Sequence, residues 1–386
     1  MADVLVVGCG LIGTSIGLAL AGSALPDVVL LDDAPHMLDV AVARGAGRAW
    51  DGQEKADLVV AAVPPTAIAE LLRQLQGMDI AKTYTHVCSV QSQVQREVEA
   101  LHCDLSTIVG GHPLAGRETS GPESATADLF LGRTWALCPS ERSTPAALDG
   151  ARQLAEACGA VPLQIVADAH DAAVALMSHL PQIAASALAG MLVPQPGSAA
   201  AAPAPASSVG AHDLSGPGLA DTTRLAAGSA DLWTEILTSN ASYVAPHVRR
   251  LGDDLHQLAT TLEALARTGG GEPATGGGPS RVQATTALHA FLLQGNQGRA
   301  LVPVKRGARS EAFGPVAVDV DDRPGRLAAL LTAAGEAGVN VEDVRVEHVP
   351  GRPRGLIELL VATDSVELLS AALSRQGWDV RQAQFP

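Results

Sequence analysis

Residues 109–121 read Val109-Gly-Gly-His112-Pro-Leu-Ala-Gly-Arg117-Glu118-Thr-Ser120-Gly121, one imidazole, one guanidinium and one carboxylate set among glycines and small residues. Such a stretch cannot form packed core. Val109 closes a β-branched run, and Gly110, Gly111 and Pro113 interrupt regular structure. His112 is therefore expected at a strand end, where open α/β sheets bind ligands. An imidazole at that address can serve as a general base near neutral pH. A lone histidine can equally be a hydrogen-bonded structural residue, so the reading depends on what accompanies it.

Three other stretches could supply partners. Gly216-Pro-Gly-Leu-Ala-Asp221-Thr-Thr-Arg224 reads as a flexible turn entering a short helix, and the planar fork of Arg224 can grip a carboxylate bidentately. The chain carries a net charge of −15, so an anionic substrate would need such a local cation. Glu118 and Asp221 are the carboxylates placed to steer it. In Ser178-His179-Leu180-Pro181-Gln182, His179 is open to two readings, helix packing with a satisfied hydrogen bond or a place in the site. Thr85 to Val90 reads as a strand with Ser89, a hydroxyl, at its C-terminal end.

A cofactor signal opens the chain. Val4-Leu-Val-Val7 is a buried strand that stops at Gly8-Cys-Gly10-Leu11-Ile12-Gly13, and Thr14 to Ala21 reads as an apolar helix. Gly8 allows the tight turn, Gly10 admits a pyrophosphate to the backbone, and Gly13 lets helix and strand pack closely. Val28 to Leu31 is a second buried strand, ending in Asp32-Asp33 at the distance expected for a ribose-binding acid. We take Asp32 over Asp33. A carboxylate there accepts from both ribose hydroxyls and repels a 2′-phosphate, and no arginine follows at once to hold one. The expected cofactor is NAD rather than NADP.

The elements that must position these groups follow from the pattern. Strands at 57–63 (ending at Val63-Pro64), 85–90, 133–138 and 161–166 alternate with helices over 94–101 and 146–158, which implies a parallel, doubly wound sheet over 1–167. From Asp168 to residue 268 the pattern is long Ala/Leu-rich helical periodicity, interrupted over 195–210 by a Pro/Ala/Ser-rich stretch expected to be a mobile insertion. Residues 269–310 begin Gly-rich and are expected to be a linker. From 311 to 386 a strand at 316–320, a helix to Ala337, strands at 339–346 and 356–361, a helix at 365–375 and a last short strand give the order βαββαβ.

Composition narrows the classes. Acidic balance argues against nucleic acid and anionic membrane as partners. The five cysteines, odd in number and without a Cys-x-x-Cys pair, suit free thiols in a reducing compartment. The eleven histidines show no metal-ligand spacing, so no metal is expected. No signal-like or membrane-spanning segment is read, and a cytoplasmic location is expected.

His112-Pro-Leu-Ala-Gly-Arg-Glu-Thr-Ser-Gly121, with the Gly loop and Asp221-Thr-Thr-Arg224, resembles the prephenate/arogenate dehydrogenase family of tyrosine biosynthesis, and the likeness extends over most of the chain. The resemblance implies a Rossmann-type NAD domain, an all-helical dimerisation domain and a homodimer. It implies that His112 is the catalytic base assisted by Ser89, that Arg224 binds a carboxylate of a prephenate-like dicarboxylate, and that Val63 and Pro64 lie beside the cofactor. The chain departs from the family twice: Ser89-Val90-Gln91 stands where a Ser-Val-Lys triplet is usual, and Gln182 where many members have a second histidine, near the substrate side chain. The C-terminal order, with Asp322-Arg-Pro324-Gly325-Arg-Leu327 and Gly338-Val-Asn340, resembles an ACT domain, which implies sensing of an aromatic amino acid through the Pro324–Gly325 turn and Asn340.

The activity expected is NAD-dependent oxidative decarboxylation of prephenate to 4-hydroxyphenylpyruvate. Arogenate and 4-amino-4-deoxyprephenate are the alternative substrates. A non-catalytic amino-acid sensor is disfavoured because His112, Ser89 and Arg224 are all present. A 3-hydroxy-acid dehydrogenase would be expected to use a catalytic lysine, and Gln91 speaks against it.

Overall fold

The computed structural model describes residues 4–21, 27–116, 119–193, 214–268, 279–302, 313–348 and 354–381. The chain divides into two compact units, 1–252 and 253–386. The first begins β1 (Val4–Val7), α1 (Leu11–Ala21), β2 (Val28–Leu31), α2 (Pro35–Ala43), β3 (Arg48–Ala49), β4 (Ala56–Ala61), α3 (Pro65–Gly77), β5 (Ala81–His86), α4 (Ser92–Ala100) and β6 (Ile108–Pro113). β7 (Thr134–Pro139), α5 (Pro145–Ala157) and β8 (Val161–Gln164) complete one eight-stranded sheet of order β3-β2-β1-β4-β5-β6-β7-β8.

The continuous β-branched runs have a direct cause. Val4 and Val6 face one apolar layer with Ile16, Leu20 and Leu30, while Leu5 and Val7 face the other with Ile68, Leu72 and Val94. Both faces of a sheet covered by crossover helices are dry, so alternation disappears from its strands.

Two expectations are corrected. The sheet is not wholly parallel, because β6 and β7 pair antiparallel, with His112 opposite Ala136. Among the described residues no α-helix crosses over between them, and antiparallel neighbours need none. The fourth large strand ends at His86, not Val90. Val87 N–H still reaches the Ala61 carbonyl at 3.1 Å, but Cys88 N–H turns toward His86 Nδ1 at 3.4 Å, and the donors of Gln91 and Ser92, where α4 begins, go to Asp171. Ser89 therefore lies in the turn that enters α4.

After β8 the first unit is helical: α6 (Ala167–Val174), a π-helical turn at Ala175–His179, α7 (Leu180–Gly190), α8 (Pro217–Thr223) and α9 (Ala230–Ser239). Ala167–Gly190 runs as one helical stretch, long and apolar enough by length and composition to cross a membrane, which qualifies the expectation that nothing in the chain resembles a span. The expected insertion at 195–210 lies outside the described residues.

α10 (Ala241–Thr268) runs from the first unit into the second. The stretch 269–310, expected to be a linker, contains α11 (Arg281–Ala300). The Gly-rich part hid a strong helix start: Ser280 accepts from Gln283 N–H and the Gln283 side chain accepts from Ser280 N–H, a capping box. β9 (Phe313–Asp321), α12 (Arg326–Glu336), β10 (Val341–His348), β11 (Arg354–Ala362), α13 (Val366–Arg375) and β12 (Asp379–Arg381) then form a βαββαβ unit whose antiparallel sheet has the order β10-β11-β9-β12. β9 alternates buried and half-buried along its length, as a sheet with one covered face requires.

Candidate active site

The C-terminal ends of β1, β4 and β5 come together where the sheet order reverses, the place at which such sheets bind ligands. Gly8 takes φ +102°, and a Cβ on Gly13 would be driven into the Gly8 carbonyl oxygen, so helix and loop can approach this closely only as glycines. Leu11 and Ile12 open α1 directly behind the loop. A side chain at Gly10 would meet nothing within 4 Å, leaving backbone that a phosphate can approach.

Asp32 faces this loop: one carboxylate oxygen accepts from Cys9 N–H at 2.6 Å and the other from Ala34 N–H at 2.8 Å. Val63 and Pro64 form the turn between β4 and α3, and Val63 Cγ1 lies 3.1 Å from where a Gly8 Cβ would stand. These residues fit a dinucleotide.

His112 is on β6, one pleat from its end, and is half-buried. The preceding glycines are explained by what packs on the strand. A Cβ on Gly110 would strike Gln91 Oε1 and come within 3.1 Å of His86 Nε2. Gln91, the departure from the lysine of the family, is almost fully buried. Its amide donates to the Cys88 carbonyl at 2.7 Å and the Gly111 carbonyl at 3.1 Å, tying the Ser89 turn to the histidine strand.

The imidazole of His112 does not stand alone. Its Nδ1 is 2.9 Å from His170 Nε2, and His170 Nδ1 is 2.8 Å from Asp171 Oδ1. Asp171 in turn accepts from Gln91 N–H at 2.9 Å and Ser92 N–H at 2.8 Å, so it caps the N-terminus of α4. Asn240 Nδ2 bridges the Asp171 carbonyl at 2.9 Å and His179 Nδ1 at 3.0 Å. His179 packs edge-on against Trp233 at 5.9 Å between centroids. Among the described residues no three His, Cys, Asp or Glu side chains converge as metal ligands.

Electrostatics favours neutral imidazoles. Burial, reinforced by His170, His179 and His86, pushes the His112 value well below that of an ordinary histidine. Burial likewise brings His86 and His179 down to about 4. For Asp171 burial works upward, but the bond from His170 and the backbone donors of Ser92 and Gln91 outweigh it and hold the carboxyl below its usual range.

The other expected residues are placed less uniformly. Gln182 is buried on α7 and donates to Ser186 Oγ at 3.4 Å. Asp221 on α8 and Arg224 at the start of the following 3-10 turn are exposed, and that turn packs against α7. Glu118 lies outside the described residues. Ser89 is half-buried, and the hydrogen bond His112 makes is to His170.

His170, Asp171 and Asn240 were missed by reading the sequence. A signal existed: Ala167, His170, Asp171 and Val174 are the buried positions of α6 at helical spacing, and two of them are polar. A polar pair on a buried face requires partners.

Comparison with known proteins adds the family. Residues 17–164 match the model of the prephenate dehydrogenase nucleotide-binding domain, and residues 166–269 that of the prephenate dehydrogenase dimerization domain. A probable prephenate dehydrogenase of Streptomyces niveus is 38% identical over 380 residues, covering 98% of this chain and 99% of the relative. A prephenate dehydrogenase of Lactococcus lactis is 24% identical, with 91% and 92% covered. Among solved structures, prephenate dehydrogenase from Aquifex aeolicus in complex with hydroxyphenyl propionate and NAD+ superposes with a TM-score of 0.60 at 24% identity, over 76% of this chain and 98% of that one. Synechocystis arogenate dehydrogenase gives 0.59 at 24% identity, over 77% and 98%. At that identity both likenesses bear on the fold.

Proposed function

The chain belongs to the prephenate dehydrogenase family, and from that premise we propose that it oxidises prephenate, with NAD as acceptor, to 4-hydroxyphenylpyruvate and CO2. The observation that carries this is a neutral histidine, His112, on the third strand from the switch point of a nucleotide-binding sheet, beyond β4 and β5. NAD bound at the Gly8–Gly13 loop supplies the hydride acceptor. The residues of the chain must align C4 of prephenate with it and take the hydroxyl proton.

The reaction balances through that one proton. His112 accepts it as the C4–H pair leaves and the O–H pair becomes a carbonyl. Loss of CO2 from the ring then sends its electrons to the same oxygen, which becomes phenolate and takes the proton back. Aromatisation drives the sequence, and the base is restored without net proton exchange.

Arg224 binds a substrate carboxylate, with Asp221 and Glu118 steering it and Ser89 assisting at the hydroxyl. Gln182 and His179 lie toward the side-chain end. Asp32 holds the ribose hydroxyls of NAD and disfavours NADP. The protein acts as a homodimer through its helical domain, a reading supported by the match to a dimerization domain. A cytoplasmic location suits five cysteines that are all free and buried. We retain the division into 1–167, 168–268 and 311–386.

The βαββαβ unit is read as an ACT domain that senses an aromatic amino acid. The turn Asp322-Arg-Pro324-Gly325, with Gly325 at φ +85°, and Asn340, whose amide donates to Glu342 at 2.5 Å, are the groups proposed to meet the effector.

The test is a panel of prephenate, arogenate and 4-amino-4-deoxyprephenate with NAD and NADP, run on the wild type and on His112→Asn. Prephenate with NAD should give the highest kcat/KM, and His112→Asn should lower kcat by roughly 10²–10⁴ with little change in KM. Preference for an aminated substrate would overturn the substrate, and an unchanged kcat would remove His112 from the mechanism.

A further inference from the structure

We infer that His170, oriented by Asp171, is a positioning residue that fixes His112 as the Nδ1–H tautomer, so that Nε2 is the atom that takes the substrate's proton. This deepens the reading of His112 as base and rests on it.

The argument runs inward from α4. Asp171 offers only acceptors, and its two oxygens already receive the N–H groups of Gln91 and Ser92 at the positive end of that helix. Those donors hold it as a carboxylate. The contact of 2.8 Å from His170 Nδ1 to Asp171 Oδ1 must then place a proton on Nδ1. We take the pair as an uncharged His170 ring donating through Nδ1 to a carboxylate, the arrangement that leaves a bare lone pair on Nε2. Among the described residues the group facing that lone pair, at 2.9 Å, is His112 Nδ1, which must then donate. The remaining nitrogen of His112, Nε2, is left unprotonated.

Without this chain the preference reverses. A free neutral imidazole favours the Nε2–H tautomer, which has no lone pair at the atom that must take the substrate's proton. Among the described residues the neighbouring rings do not make the choice: His86 and His179 come from β5 and the π-helical turn, and the bonds of both go elsewhere, toward Cys88 N–H and Asn240. After proton transfer the His112 imidazolium still donates through Nδ1 to His170, whose partner is an anion. The developing charge is thus spread from the half-buried His112 over the buried His170–Asp171 pair instead of resting on one ring.

The π-helical turn has a part in this. It follows α6 directly and shifts the phase of the helix, so that His170 and Asp171 face β6 and α4 while His179 still meets Asn240. Asn240 ties both segments through one amide. The row is held from three directions, which a positioning role needs.

The test uses the full chain labelled with 15N in its histidine rings, with His112 assigned by its loss in His112→Asn. Ring-nitrogen shifts of the wild type should report His112 as Nδ1–H, and His170→Phe should move it toward Nε2–H. In steady state His170→Phe should lose about 10²–10⁴-fold in kcat with KM for prephenate and Kd for NAD near wild type. His170→Gln, whose amide oxygen can accept from Nδ1–H, should recover at least tenfold of that loss. An Nε2–H His112 in the wild type, or a His170→Phe enzyme with wild-type kcat, would overturn the inference. Activity retained by His112→Asn would instead defeat the base reading itself, whatever tautomer the spectra show. If His170→Phe unfolds, judged by circular dichroism, the wild-type spectrum and the His170→Gln kcat still decide.

Discussion

Lowering the pH from 8 to 5 should destabilise the first unit by several kcal/mol, and histidines should carry most of the effect. His86 and His179 fall from 6.5 in the open chain to about 4 in the fold, both mainly through burial. A folded value below the unfolded one means that stability is full above about pH 6.5 and is lost as the pH drops toward 4. At pH 5 an unfolded histidine is almost wholly protonated and these two are not. The linkage integral then gives about 2 kcal/mol for each, or about 4 kcal/mol together. His112 shifts in the same direction and adds to the loss. That is a large part of a typical total of about 5–15 kcal/mol.

Carboxylates held low, such as Asp171, contribute mainly below this window. Urea unfolding followed by tryptophan fluorescence between pH 5 and 6.5 gives the slope of stability with pH, which counts protons taken up on unfolding. Between two and three are expected at pH 5, close to one for each of His86, His179 and His112. His86→Asn should remove about one of them. Equal stability at pH 8 and pH 5, or a slope unchanged by that substitution, would show that these rings are not held neutral, and the basis for a neutral His112 would go with it.

Three further outcomes can be checked on the enzyme itself. Asp32→Asn should raise KM for NAD and narrow its lead over NADP, because the 2′-phosphate no longer meets a carboxylate; selectivity equal before and after would reject the assignment. Arg224→Gln should raise KM for prephenate roughly 10- to 150-fold at nearly constant kcat, the equivalent of a charged hydrogen bond worth about 1.5–3 kcal/mol. A collapse of kcat at constant KM would mean the guanidinium acts in the chemistry instead. Tyrosine or another aromatic amino acid should shift prephenate affinity roughly 5- to 150-fold, and Asn340→Ala should abolish the shift while leaving basal activity intact. Identical inhibition curves for the two proteins would place feedback outside the C-terminal unit.

Some of this protein could be read from residue order alone because the physics involved is local. Gly8, Gly10 and Gly13 announce a turn between a dry strand and a helix, since only glycine tolerates the Gly8 dihedral and the contact of Gly13 with the Gly8 carbonyl. The β-branched runs of β1, β2 and β4 mark strands covered on both faces, and the C-terminal βαββαβ order follows from alternation and turn residues. His112 stood out because glycines and proline surround it.

Tertiary structure decided what those residues face. The strand at Thr85 stops at His86 because Cys88 N–H turns back to His86 Nδ1, and Asp171, 80 residues further along the chain than Gln91, then holds the first donors of α4. The antiparallel return of β7 depends on a connection that shows no crossover α-helix among the described residues, which strand patterns do not encode. The state of His112 is set by His170, at a sequence separation of 58, and by a carboxylate that caps a helix from another part of the unit. Hydrogen bonds between distant segments leave no periodicity in the sequence. A polar pair on the buried face of α6 was their one visible trace, and only the fold shows which imidazole it serves.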